Sequence, residues 1–130
     1  MRPTTINGVR TIGIKVRDQD AATEFYVAAL GFEKRFDAPI SATARWIEVA
    51  PPGSPTSIAL NVSDGDPSTA ADTGVRFTVP DAEAEQAAMR ERGVNVGVVL
   101  HMEGVPPMFT FHDPDGNRFY VVEEWSPPAS

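Results

Sequence analysis

Val9-Arg10-Thr11-Ile12-Gly13-Ile14-Lys15-Val16, followed by Asp18, a helix-like run ending at Leu30, and then Gly31-Phe32, decides the fold because the chain repeats it. In the second half Gly74-Val75-Arg76-Phe77-Thr78-Val79 leads to Asp81, a helical run ending at Arg92, and then Gly93-Val94. An internal repeat fixes architecture before any other feature. Here it divides 130 residues into a module over about 7–62, a polar linker over about 63–73 and a second module over about 74–125. Neither half alone would bury enough surface to be comfortable, so a single domain of two modules is expected. Two fused modules sharing a concave interface predict a pocket for a small ligand.

Working outward, strict alternation marks the strands. Ile12, Ile14 and Val16 point one way and Thr11, Gly13 and Lys15 the other, the period of a half-buried strand. Asp18 or Asp20 can cap the next helix, whose apolar side carries Ala22, Phe25, Tyr26, Ala29 and Leu30, and Gly31 stops it. Residues 45–50 and 57–62 alternate again, with Ile47, Val49, Ile58, Leu60 and Val62 inward and Trp46, Glu48, Ala59 and Asn61 opposite. The Pro51-Pro52-Gly53 turn separates them. In the second half Val75, Phe77 and Val79 face a helix capped by Asp81, with a thinner stripe of Ala82, Ala88 and Met89. Residues 94–102 are expected to be extended, and 108–112 form a strand with Phe109 and Phe111 inward. Residues 113–117 make a tight turn and 118–124 close the sheet, so each half reads β-α-β-β-β. Trp125 reads as an anchor for the tail.

Composition narrows the function. Hydrophobic content of 42% and charged content of 22% belong to an ordinary globular chain. A formal charge of -7 argues against nucleic acid, whose phosphates demand clustered Lys and Arg, and favours cationic ligands. The absence of cysteine removes disulfides, thiolate ligands and thiol nucleophiles. With no apolar run of signal-peptide or bilayer length, no membrane role is expected and the expected address is cytoplasmic.

The run Val16-Arg17-Asp18, the Phe25-Tyr26 pair, Leu30-Gly31-Phe32 and Phe111-His112-Asp113-Pro114-Asp115-Gly116-Asn117-Arg118-Phe119 together resemble the vicinal oxygen chelate superfamily of glyoxalases, bleomycin-resistance proteins and extradiol dioxygenases. The resemblance spans essentially the whole chain. It implies an α+β fold of two tandem βαβββ modules forming a cupped, incomplete barrel, commonly in a homodimer. A fold of this kind does not by itself name a chemistry.

Enzymes of that superfamily usually hold a divalent metal with four side chains, and the resemblance carries those positions onto Thr11, Ala59, Gly74 and Tyr120. Gly74 is matched to Thr11 by its equal spacing before the capping Asp. A hydroxyl, a methyl, a hydrogen and a phenol do not neutralise a dication, so no metal and no other cofactor is expected. A displaced ligand set drawn from His101, His112, Glu48, Glu103, Glu123 and Glu124 lacks the short spacing that makes a metal motif specific. No serine sits in a nucleophile elbow, and no catalytic residue is assigned.

What remains is a lining. The candidate ligand-binding residues are Thr11, Trp46, Glu48, Asn61, Arg76, His101, Met108 and Tyr120. Trp46 offers an aromatic platform and Met108 a deformable apolar contact, while Glu48 and Asn61 can orient a polar edge. Trp46 equally fits a plug of the cup or a dimer contact. The expected function is metal-independent binding of an antibiotic or an aromatic or cationic metabolite by sequestration, as the resemblance to the bleomycin-resistance branch implies. The alternatives are a metal-dependent lyase, isomerase or dioxygenase of the superfamily, and a dimerising regulatory module without ligand.

Overall fold

The computed structural model describes residues 3–62 and 71–124. Trp125 and linker residues 63–70 lie outside them. The chain divides into two compact units at Val62. Each holds one four-stranded sheet with helix on one face, so the fold is α+β with two βαβββ modules.

In the first unit β1 (Thr11–Val16) runs parallel to β4 (Ser57–Val62), which pairs antiparallel with β3 (Arg45–Ala50), which in turn pairs with β2 (Glu33–Pro39) at the edge. Between β1 and β2 lies α1 (Gln19–Glu24), which continues as a π-helical turn over Phe25–Ala29. Asp18 is the cap: its carboxylate accepts from the Ala21 N–H, satisfying a donor that the first turn leaves open. Asp20 instead pairs with Arg45 at 2.7 Å. Gly31, at φ 75°, supplies the left-handed turn after the helix.

The core lies between sheet and helix. Ile14, Val16, Ile47, Val49, Ile58, Leu60, Ala22 and Tyr26 are buried there. Val62, expected inward, is 39% exposed at the strand end. A buried polar clamp that alternation does not reveal fastens α1 to the sheet. Gln19 donates through Nε2 to the carbonyls of Arg45 (2.6 Å) and Leu60 (2.7 Å), and its Oε1 accepts from the Arg45 N–H. The strand β2 is exposed almost throughout, so Glu33-Lys34-Arg35-Phe36-Asp37-Ala38-Pro39 carries no alternation to read.

The second unit repeats the order: β5 (Asp72–Val79) parallel to β8 (Arg118–Glu123), then β7 (Met108–His112), then the two-residue β6 (Asn95–Val96). The 94–102 stretch is thus extended only over β6 and an isolated bridge between Leu100 and Met108. The helix α2 (Ala82–Glu91) is capped by Asp81, which accepts from the Ala84 N–H. It buries Ala82, Gln86 and Met89; Gln86 replaces the expected Ala88 because its amide donates to the Gly97 carbonyl at 2.9 Å. Phe77, Phe111 and Phe119 stack with centroids 5.2–6.2 Å apart. The turn after β7 is held by Asp113, whose carboxylate accepts from the Asp115 and Asn117 N–H groups and from the buried Asn117 amide.

One register detail alters the reading of the repeat. β5 begins at Asp72, inside the stretch expected to be linker, and its pairing with β8 shifts between Asp72 and Arg76. Gly74 sits in this irregularity with φ 68°, a conformation few residues other than glycine adopt.

Candidate functional site

In both sheets the residues opposite the helix form a second face, and the sequence-predicted candidates other than His101 divide between these two faces. On the first, strand parity sets Trp46 and Glu48 opposite Ile47 and Val49, which are wholly buried. Glu48 is directly opposite Ala59, whose small side chain leaves it space. Although it faces away from the helix, Glu48 is only 5% exposed. A buried carboxylate is costly unless hydrogen bonds replace water. Here the Ser57 hydroxyl donates to Oε1 at 2.6 Å, while the Trp46 indole N–H (2.7 Å) and the Arg10 guanidinium (3.2 Å) donate to Oε2. Ser57 first, then Trp46 and Arg10, hold the Glu48 carboxyl below its ordinary range against the opposing effect of burial.

The same network fixes the tryptophan. Its one polar atom is satisfied, so the half-buried indole is held in one orientation. Asn61 lies on this face beside Gly13, where a β-carbon would come within 2.9 Å of the Asn61 amide nitrogen. Thr11 turns its hydroxyl onto the Ser57 carbonyl at 3.2 Å. Two contributors were missed: Ser57 shares the parity of Ala59 and Asn61 and could have been found, whereas Arg10 precedes the strand and carries no periodic signal.

The second face is arranged around Tyr120. Its backbone neighbours are Arg76 on β5 and Thr110 on β7. The Arg76 guanidinium lies over the phenol ring at 4.6 Å from the centroid, and that of Arg118 lies at 5.7 Å. The Tyr120 hydroxyl donates to Asp72 at 2.7 Å and Arg118 Nη2 to the same oxygen at 2.6 Å, while the Gly74 N–H takes the other oxygen. Arg118 above all, then Tyr120 and Gly74, bring the Asp72 carboxyl down to about 2. Next to this cluster is an open depression of about 240 Å3 lined by Ala71, Asp72, His112, Gly116 and Arg118. One step along the strands the face turns apolar, with Met108 opposite Val122. His101 pairs with Glu83 of α2 at 2.7 Å, away from these clusters.

Register corrects one position carried over by counting. Thr11 is opposite Ser57, and the residue holding that place opposite Arg118 is Asp72 rather than Gly74, because the irregularity at Gly74 shifts the ladder. The donor chemistry still does not fit a dication. Asp72 already accepts from a guanidinium, a phenol and an amide, and Ala59 offers no donor atom. Among the described residues no three His, Asp or Glu side chains come together as a metal site requires.

The pattern of the Glyoxalase/Bleomycin resistance protein/Dioxygenase superfamily matches residues 8–121. The chain belongs to that superfamily. It is similar to a superfamily member from Sphaerobacter thermophilus DSM 20745, at 36% identity and TM-score 0.86, over 93% of this chain and all of that one. It is similar as well to TnmS3, an antibiotic binding protein from Streptomyces sp. CB03234, at 31% identity and TM-score 0.79, over 94% and 99% of the two chains. Among curated sequences, the uncharacterized protein YetH of Bacillus subtilis (strain 168) is 30% identical over 122 residues, covering 91% of this chain and 99% of YetH. No helix of the described residues in this superfamily member is long and apolar enough to cross a membrane.

Proposed function

We propose that this chain binds a small aromatic molecule, of antibiotic type, without metal and without changing it chemically. The observation that carries the reading is the hydrogen-bonded seating of Trp46 on Glu48, which fixes a half-buried aromatic platform on the sheet face opposite the helix. A platform already ordered loses little conformational entropy when a ligand stacks on it. The carboxylate beneath is a poor proton acceptor, because three donors stabilise its charged form. The likeness to TnmS3 supports binding over turnover. In this reading Trp46 and Asn61 offer ligand contacts on the first unit, whose face Glu48 and Thr11 position, and Arg76, Met108 and Tyr120 offer contacts on the face of the second unit. His101 is left out by its pairing with Glu83. The protein works by sequestration, as a cytoplasmic homodimer.

Thermal unfolding of chelator-treated protein against a panel of aromatic and glycopeptide antibiotics tests this. At least one compound is expected to stabilise the protein with the logarithm of its concentration above Kd, by about 2.7 kcal/mol at a hundredfold excess over Kd. Trp46→Ala is expected to remove most of that stabilisation. The reading fails if no compound shifts the metal-free protein while added Zn, Ni, Mn or Fe confers lyase, isomerase or ring-cleaving activity.

A further inference from the structure

We infer that the open face of the second unit takes the acidic end of its ligand, a carboxylate or sulfonate on an aromatic body, through Arg76. This rests on the small-molecule-binding reading and adds to it the ligand's charge. The formal charge of -7 would suggest the opposite. Charge on the far surface is screened beyond about 8–10 Å, however, so the local inventory decides what docks.

That inventory has a surplus of donors. Asp72 is the acid of the cluster, and its oxygens already accept from Arg118, the Tyr120 hydroxyl and the Gly74 N–H. Its charge is therefore balanced by Arg118. Among the described residues Arg76 is not balanced: its hydrogen bond there is from Nη1 to the Gly74 carbonyl at 2.9 Å, and no carboxylate pairs with it. A guanidinium has five N–H donors in a planar fork, and the remainder suit a bidentate acid. Seating over the Tyr120 ring at 4.6 Å steadies Arg76 without consuming those donors.

The face also measures the ligand. From the Arg76–Tyr120 pair to Val122, which is opposite Met108, is two residues of strand, a span of about 7 Å. An acid attached to a fused-ring body of that reach satisfies both ends, the anion at Arg76 and the rings against Val122 and Met108.

Fluorescence titration with three matched probes provides the test: 2-anthracenecarboxylate, 2-anthracenemethanol and 2-(aminomethyl)anthracene. The carboxylate is expected to bind at least about tenfold more tightly than the alcohol, and the amine least, with the advantage shrinking as salt rises. Arg76→Gln should abolish the advantage of the carboxylate over the alcohol; Arg76→Lys, with its charge but no fork, should retain part of it. Arg76 is exposed, so unfolding is not expected, and circular dichroism of each variant verifies this. Equal binding of carboxylate and alcohol, or discrimination that survives Arg76→Gln, overturns the inference while leaving the aromatic-binder reading standing. Failure of all three probes on wild type also overturns it, and the antibiotic panel then decides the broader reading on its own.

Discussion

The two units share one topology and carry opposite chemistry at matching places. Glu48 opposite Ala59 in the first sheet corresponds to Thr110 opposite Tyr120 in the second. One face is centred on a buried anion ringed by donors, the other on a phenol ring approached by two guanidiniums. The difference teaches that both units keep what the helix side needs, alternating Ile, Val, Leu and Phe, while the opposite side differs between them: Glu48 and Ala59 are buried on one, and Arg76 is exposed on the other. A ladder fixes which residues are neighbours but leaves their identities to the site.

Mutation can break that contrast. The largest expected effect is Glu48→Ala, which strands the Trp46 N–H and leaves the Ser57 hydroxyl only the longer contact to the Arg10 carbonyl at 3.3 Å. Urea denaturation should show a loss of about 2–3 kcal/mol. Tyr120→Phe, at the centre of the other face, removes only a half-exposed hydrogen bond and should cost under about 1 kcal/mol. Equal losses would mean that the two faces are not electrostatically distinct.

The helix caps sharpen the comparison from the other direction, because here the units agree. Asp18→Ala and Asp81→Ala each remove one acceptor from a first-turn N–H. Each should lower stability by about 1 kcal/mol in the same assay. A clear inequality would locate a difference on the helix side, where the repeat looks conserved.

The smallest effect is the part of the acid-range pH dependence that Asp72 of the second unit contributes. The Asp72 carboxyl lies at about 2 in the folded protein against an ordinary 3.8, so folding favours its charged form. Its contribution is complete above about pH 4 and is lost as pH falls towards 2. The stability gap between wild type and Asp72→Asn should therefore narrow through that window. A gap independent of pH would show that Asp72 is not held by Arg118 and Tyr120 in solution.

Much of the molecule was legible because alternation is a local signal. Strands 45–50, 57–62 and 108–112 fall where their periodicity places them, and both caps follow from an Asp before an apolar-periodic run. What escaped lacked a period. The edge strand β2 is exposed on both sides, and Gln19 and Gln86 are buried for their hydrogen bonds rather than their hydrophobicity. On the open faces parity found Trp46, Glu48, Arg76 and Tyr120. It could not find Asp72, which composition had assigned to a linker.

The sequence by itself determined the two-module architecture and the sorting of side chains onto helix-facing and open sides, because strand period and helix capping are properties of neighbouring residues. Only the tertiary structure decided that Glu48 is buried beneath Trp46, and that an irregularity at Gly74 brings Asp72 level with Arg118. Both depend on contacts between residues distant along the chain, Arg10 with Glu48 and Asp72 with Tyr120, whose pairing a local pattern does not encode.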